Sequence, residues 1–121
     1  CFLGRKLIDD LETKHLKVLW DPANALYCGE NPSKNALDSM EGGYLGHVHM
    51  KDVEVSIHQA KIKCVALGEG QMAPHLQTIS ERLDQIGYDG SMSLESVYRP
   101  TEGNFEDGFN ASITKFKNLY S

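Results

Sequence analysis

The sequence predicts an α/β fold with a parallel sheet, and three observations support this prediction. Short apolar segments that resemble strands alternate with segments whose apolar residues recur at helical spacing, which is typical of βαβ units. Three of the strands end in a carboxylate or an imidazole, so polar groups recur at one end of the sheet. At 121 residues the chain suits one domain, assigned as residues 1–121, and is too short for a closed eight-stranded barrel, which takes about 250 residues.

Composition and charge narrow the class of protein. Apolar residues make up 40% of the chain and charged residues 24%, which is ordinary for a globular domain. A net charge of −5, with Lys and Arg scattered, argues against nucleic acid as a partner. The longest apolar runs fall short of the roughly 20 residues that cross a membrane, so we expect a cytoplasmic protein. Cys1, Cys28 and Cys64 show no CxxC spacing, and we expect reduced thiols that pack.

The first predicted elements are a helix and a strand. Apolar residues at helical spacing predict a helix over Cys1–Leu11. Leu16–Trp20 predicts a strand that ends at Asp21 and Pro22, because proline favours extended geometry in the residue before it and lacks an N–H for the sheet. After a loop, Ser33 is expected to cap a short helix.

The middle of the chain contains a second strand and a long connection. Leu45–Met50 predicts the strand, and in it Val48 and Met50 alternate with His47 and His49. Val53–Leu67 mixes strand-like alternation with polar residues, so we expect a long loop with a small added strand over Ile62–Leu67. Gly68-Glu69-Gly70 predicts a turn, since glycine adopts positive φ readily.

The last third predicts helix, strand and helix. Pro74 and Gly87 bracket an amphipathic segment, with proline near its first turn and glycine just after its last. Ser91–Leu94 predicts the third strand. Asn104 followed by Asp107 resembles a capping box and predicts the start of the last helix.

Gly46–Asp52 is the stretch richest in side chains capable of chemistry. Side chains alternate along a strand, so His47, His49 and Lys51 share one face while Asp52 lies on the packing face. We expect His47 to be packed and hydrogen-bonded, and Asp52 to anchor a loop. His49 and Lys51 are the candidates that face a site.

Asp21, His49 and Glu95 form a candidate metal site. All three follow or end predicted strands, and ligands gather outside the carboxyl ends of the strands in α/β folds. Taken singly, Asp21 is also explained as a turn cap at Asn24, His49 as a hydrogen-bonded core residue and Glu95 as a solvated strand end. Because all three residues lie at equivalent positions, at the carboxyl ends of strands, a shared site is favoured over three separate explanations. Carboxylate oxygens with one imidazole suit Mn²⁺ or Mg²⁺ and also permit Zn²⁺ or Co²⁺.

Three further residues are candidates for substrate binding. Lys51 either holds an anionic or hydroxylated substrate or is a solvated cation at a strand exit. Arg99 follows the last strand, where barrels often bind phosphate, and is otherwise an exposed loop cation. Glu69 either lines the mouth of the site or belongs to a plain turn.

Several motifs together resemble the C-terminal part of the sugar phosphate isomerase/epimerase family. That family consists of xylose-isomerase-like TIM barrels and also includes ketose 3-epimerases, inosose dehydratase and endonuclease IV. The motifs are Val18–Asn24, Gly46–Asp52, Leu67–Gly70, Ile86–Gly90 and Ser93–Glu95.

The resemblance implies a fold and a mechanism. The three strands match about the sixth to eighth of a (β/α)₈ barrel, so the chain is expected to be an incomplete barrel. Asp21, His49 and Glu95 match three of four ligands of a divalent metal, usually Mn²⁺. The fourth ligand of the family, a Glu that pairs with Glu95 as acid and base, is expected ahead of Cys1. One carboxylate removes the proton α to the sugar carbonyl, and the other reprotonates an enediolate.

The resemblance also implies partners and alternatives. A sugar or polyol substrate, phosphorylated or not, is expected near Asn24, which stands where ketose epimerases often carry a substrate-binding His. We expect the chain to be inactive alone, and to form homo-oligomers or to need the missing N-terminal part of the barrel. Two other possibilities are a lyase of the inosose dehydratase type and a non-catalytic structural or interaction fragment. The extra His and Asp ligands of endonuclease IV are not evident, so DNA repair is not expected.

Overall fold

The computed structural model of the chain describes residues 2–120, without the side chain of Asn35. In this range the strands are β1 (Val18–Trp20), β2 (Leu45–Met50), β3 (Asp52–Ser56), β4 (Lys61–Val65) and β5 (Ser91–Leu94). The α-helices are α1 (Phe2–Asp10), α2 (Pro22–Tyr27), α3 (Asn35–Asp38), α4 (Leu76–Gln85) and α5 (Phe105–Tyr120). A turn of 3₁₀ helix over Ile57–Gln59 joins β3 to β4.

The sheet that carries the candidate site is parallel and three-stranded, in the order β1-β2-β5. Trp20 of β1 pairs with Val48 of β2, and His49 of β2 pairs with Ser93 of β5. β3 and β4 form a separate antiparallel hairpin directly after β2. The predicted α/β class with parallel strands is therefore confirmed, and the strands within residues 2–120 do not close a barrel.

The two faces of the parallel sheet have different surroundings. On one face Val48 and Met50 are fully buried and Trp20 is nearly so. These residues pack in one apolar core with side chains from α3, from the residue Met40 after it, and from α4: Leu37, Met40, Leu76, Ile79 and Leu83. The opposite face carries His47 and His49, which are half-buried, and Leu19, which is exposed. Apolar burial on the helix side thus leaves the imidazoles on the accessible face.

The first strand ends before Asp21 as predicted, but the residues that follow it form a helix, Pro22–Tyr27, that the sequence pattern did not predict. Asp21 caps it: its Oδ1 accepts a hydrogen bond from the Asn24 N–H at 3.0 Å. Pro22 suits the first helical position, where a missing N–H costs nothing. The strand before it is also shorter than predicted, since Leu16 and Lys17 lie outside β1.

The region predicted as a long loop is instead the β3–β4 hairpin. Val53 pairs with Cys64, and Val55 pairs with Ile62, where two β-branched side chains lie opposite one another across the hairpin. Ala60, at φ +49°, supplies the left-handed turn residue. The predicted strand over Ile62–Leu67 thus has a partner strand, which the mixed polarity of the sequence concealed.

The remaining helix predictions differ only at their ends. α1 spans Phe2–Asp10, and Cys1 lies outside the described residues. Ser33 does not cap α3, because that helix begins after Lys34 and Ser33 Oγ hydrogen-bonds instead to Asn31 and His75.

The predicted signals around α4 and α5 are confirmed. Gly87 follows α4 at φ +64°. Asn104 N–H donates to Asp107 Oδ2 at 2.8 Å, and Asp107 N–H donates to Asn104 Oδ1 at 3.1 Å. None of the helices within residues 2–120 is long and apolar enough to cross a membrane.

Candidate metal centre

The candidate site lies at the carboxyl ends of β1, β2 and β5. Asp21 directly follows β1, His49 is the penultimate residue of β2, and Glu95 directly follows β5. One potential ligand atom from each residue lies within 4.8 Å of the others. The parallel register produces this convergence, since adjacent strands end at the same edge of the sheet.

Asp21 uses its two carboxylate oxygens for different purposes. Oδ1 caps α2, as described above, and this fixes the direction of the side chain. Oδ2 lies 2.7 Å from Lys51 Nζ, and the side chain is only 6% exposed. The turn-cap explanation and the site explanation for Asp21 are therefore compatible.

Lys51 reaches into the middle of the cluster. Its Nζ lies 2.7 Å from Asp21 Oδ2 and 2.7 Å from Glu95 Oε2, and its side chain is 11% exposed. Burial lowers the pKa of Lys51, but the hydrogen bonds that Lys51 donates to the two carboxylates and their negative charges outweigh burial and raise the pKa above its ordinary value. Lys51 is therefore a paired ammonium, not a solvated cation.

Glu95 is the most accessible carboxylate of the cluster, with a side chain that is 35% exposed. Its backbone N–H donates to Met50 O at 2.9 Å, which continues the pairing between β5 and β2. The hydrogen bond from Lys51 lowers the pKa of Glu95 and outweighs burial, which raises it. Lys51 thus keeps Glu95 in its ionised form and also makes it a weaker base than an unpaired carboxylate.

The two histidines of β2 lie on the same face, as predicted. Their ring centroids are 5.0 Å apart in an edge-to-face arrangement. His47 Nε2 lies 2.8 Å from Ser93 Oγ, so the hydrogen bond predicted for His47 is confirmed, and the residue is half-buried. His49 Nδ1 lies 3.8 Å from Glu95 Oε2, which places His49 at the cluster.

Asp52 anchors the loop that follows the hairpin, as predicted. It is 1% exposed. Its Oδ1 accepts from the N–H groups of Val53 at 2.7 Å and Met72 at 2.8 Å. Its Oδ2 accepts from Gly68 at 2.9 Å and Gly70 at 3.0 Å. Four backbone donors thus bind one carboxylate, which fixes the hairpin base beside the site.

The other predicted substrate residues are not drawn into the cluster. Glu69 lies exposed in the turn that Asp52 holds. Arg99 is exposed and makes no hydrogen bond or ion pair with any of residues 2–120. Asn24 is exposed and lines an open cleft of about 280 Å³ together with Asp21. Substrate contacts of Asn24, Glu69 and Arg99 stay predictions.

Sequence reasoning missed two residues that border the site. Cys64 is half-buried on β4 and lines a small cavity together with Lys51 and Glu95. Tyr27 ends α2 and packs against the core. Burial raises the pKa of both side chains. The alternation of Val53 and Val55 was the available signal for the hairpin that brings Cys64 here. The expectation of packed thiols is wrong for Cys28, which is exposed.

Comparison of the chain with known protein families identifies its family. A family model described as a xylose isomerase-like TIM barrel matches residues 3–118. The chain belongs to this family. A search of curated proteins finds no match. The family expected from the motifs is therefore confirmed, and the numbering of its strands within a barrel stays a prediction.

The residues of this xylose isomerase-like chain suit a divalent cation. Asp21 and Glu95 offer hard carboxylate oxygens, and His49 offers an imidazole nitrogen. The cluster already binds a cationic group, since the ammonium of Lys51 contacts both carboxylates. Two carboxylates face this one ammonium, so negative charge remains uncompensated. Asp21, His49 and Glu95 are the residues that would hold the ion.

Proposed function

We propose that this chain provides the metal-binding part of a sugar or sugar phosphate isomerase or epimerase. The observation that carries the proposal is the convergence of Asp21, His49 and Glu95 at one end of three adjacent parallel strands in a xylose isomerase-like chain. Active sites of TIM barrels lie at this end of the strands. Mn²⁺ is the ion that we propose first, with Mg²⁺, Zn²⁺ and Co²⁺ as alternatives.

The chemistry divides between the ion and the side chains. A bound divalent ion would polarise the carbonyl and hydroxyl oxygens of the sugar. Glu95 would accept the proton from the carbon α to the carbonyl and leave the substrate as an enediolate. Its partial exposure supports this role, since the carboxylate is open to a substrate. His47 and Ser93 would hold the neighbouring side chains in place through their hydrogen bond.

Substrate contacts are proposed on the open side of the cluster. Asn24 lies beside Asp21 at the mouth of a cleft, and its amide suits a sugar hydroxyl. Arg99 follows β5 and would suit a phosphate, provided that its loop moves toward the site. Glu69 is held near the hairpin base and would border the mouth.

The metal centre is tested by Mn²⁺ binding to the 121-residue chain, measured as loss of the electron paramagnetic resonance signal of free Mn²⁺. His49→Ala should weaken binding by at least about a hundredfold, since even outer partners of metal ligands are worth about 10- to 100-fold. His58→Ala is the matched control, because His58 is exposed on the hairpin turn. Equal binding by the His49→Ala chain would contradict the proposed ligand set.

Activity is tested separately from metal binding. We propose that the chain alone turns over little or no ketose, because the reaction needs two acid/base carboxylates and, within residues 2–120, Glu95 is the accessible carboxylate of the cluster while Asp21 is buried. Ketose turnover by the purified chain that disappears on Glu95→Gln would contradict this expectation. A chain that binds no divalent ion would instead support a non-catalytic structural role.

A further inference from the structure

Lys51 occupies a position that the proposed chemistry does not explain. Its ammonium contacts Asp21 Oδ2 and Glu95 Oε2 at 2.7 Å each, and these two carboxylates belong to the candidate ligand set. Its side chain is more enclosed than that of Glu95, at 11% against 35% exposed. A lysine placed in this way neutralises much of the charge that a divalent ion would otherwise meet.

Geometry makes the ammonium and a metal ion competitors for these oxygens. Metal–oxygen bonds to ions of this kind are about 2.1 Å long, so an ion bonded to the same two oxygens would lie within about 4 Å of Nζ where it now stands. A divalent ion and an ammonium at that separation repel each other strongly in a half-buried site. The two cations therefore cannot both use Asp21 Oδ2 and Glu95 Oε2.

We propose that Lys51 is the resident cation of this site and that a divalent ion enters only by exchange with it. This inference rests on the metal centre proposed above. The ion takes the two carboxylates, and the Lys51 side chain leaves them. The long unbranched stem of lysine permits the movement, and the accessible side of the cluster near Glu95 gives it room.

The exchange would have two consequences for this chain. Without metal, Lys51 prevents the repulsion of two carboxylates that lie close together and so keeps the site folded. With metal, an ammonium is released beside the ion, at the position where an anionic or hydroxylated ligand would arrive. Metal binding would thus make the Lys51 ammonium available to such a ligand.

The test compares Mn²⁺ affinity of the 121-residue chain with that of three variants at one pH and one salt concentration. Lys51→Met has a similar length without charge and should bind Mn²⁺ at least about tenfold more tightly, because no competing cation has to leave. Lys51→Arg keeps a competing cation and should stay within about threefold of the unmodified chain. Lys63→Met should leave the affinity unchanged, since Lys63 pairs with Glu54 at 3.4 Å on the exposed hairpin.

The outcomes separate this inference from the proposed metal centre. Mn²⁺ affinity of folded Lys51→Met equal to or weaker than that of the unmodified chain would overturn the exchange and leave the metal centre standing. Failure of both chains to bind Mn²⁺ would overturn the metal centre and the exchange together. Circular dichroism establishes whether each variant is folded.

A second measurement needs no variant and stands even where Lys51→Met does not fold. The unmodified chain is acetylated with an amine-reactive ester, with and without Mn²⁺, and the modification of each lysine is followed by mass spectrometry. Lys51 should react several-fold faster with Mn²⁺ present, because its ammonium has left the carboxylates. Lys63, whose side chain is 70% exposed, is the internal reference and should not change. Unchanged protection of Lys51 in the Mn²⁺-saturated chain would refute the exchange.

Discussion

Asp52→Asn should be among the most damaging single substitutions near the site, although it removes only a charge and exchanges one oxygen for nitrogen. The Asp52 carboxylate is buried and accepts hydrogen bonds from four backbone N–H groups, two at each oxygen. An asparagine amide has one acceptor oxygen, and its nitrogen is a donor. Either orientation of the amide therefore turns two accepted hydrogen bonds into contacts between donors.

The expected loss follows from these four contacts. Each buried donor left without an acceptor costs about 1–3 kcal/mol, so two cost about 2–6 kcal/mol. The other two hydrogen bonds also weaken, because they lose the negative charge of the acceptor. Since part of the loop at Gly68 and Gly70 can relax toward solvent, we expect a decrease of about 3–5 kcal/mol in the free energy of unfolding.

The assay is urea unfolding followed by the fluorescence of Trp20, the single tryptophan, which is 2% exposed in the folded chain. Asp84→Asn is the matched control: Asp84 is exposed on α4, so the same chemical change should stay within about 0.5 kcal/mol. Amide hydrogen exchange should accelerate at Gly68 and Gly70 in Asp52→Asn. Unfolding within about 1 kcal/mol of the unmodified chain would refute the reasoning.

Two further predictions concern the ion pairs and the sheet edge. The pKa of Glu95 is lowered from 4.5, so the pairing of Glu95 with Lys51 stabilises the fold above pH 4.5, and this stabilisation is lost as the pH falls through the lowered pKa. The pKa of Lys51 is raised from 10.5, so the stabilisation from Lys51 is lost as the pH rises through the raised pKa. The stability difference between the unmodified chain and Lys51→Met in urea should therefore shrink from pH 7 to pH 3, and a constant difference would contradict this. We also propose that copies associate through β1, which within residues 2–120 pairs only with β2; Leu19 on β1 and Leu16 just before it are exposed. Changing both leucines to Lys should weaken association, measured by sedimentation, by at least about tenfold. The control Ile57→Lys, on the hairpin, should leave association unchanged. A chain that stays monomeric at high concentration would refute the proposal.

Much of the fold could be predicted because the signals are local. Apolar runs and helical spacing identified the three parallel strands and the two long helices, and Gly87 and Asn104 marked their ends. Alternation along β2 placed His47 and His49 on one face and Asp52 on the other, which depends only on the two-residue period of a strand. The signals for α2 are also local, since Asp21 and Pro22 form a helix start, but the same proline equally predicts the end of a strand.

The hairpin depended on pairing that no single segment reveals. Val53–Leu67 contains polar residues at positions that face solvent, so each half alone resembles a loop. Only the cross-strand contact of Val53 with Cys64 and of Val55 with Ile62 makes the two halves strands. This pairing also brings Cys64 to the cavity beside Lys51 and Glu95.

The sequence by itself determined which chemistry is available: carboxylates and an imidazole at strand ends, and one lysine two residues beyond His49. It determined the order of those strands along the chain and the face on which each side chain lies. It could not determine where the Lys51 ammonium goes, because that depends on the distance between carboxylates on different strands. The tertiary structure decided this point by placing Asp21 and Glu95 on either side of β2, where two negative charges in a half-buried site draw in the nearest cation.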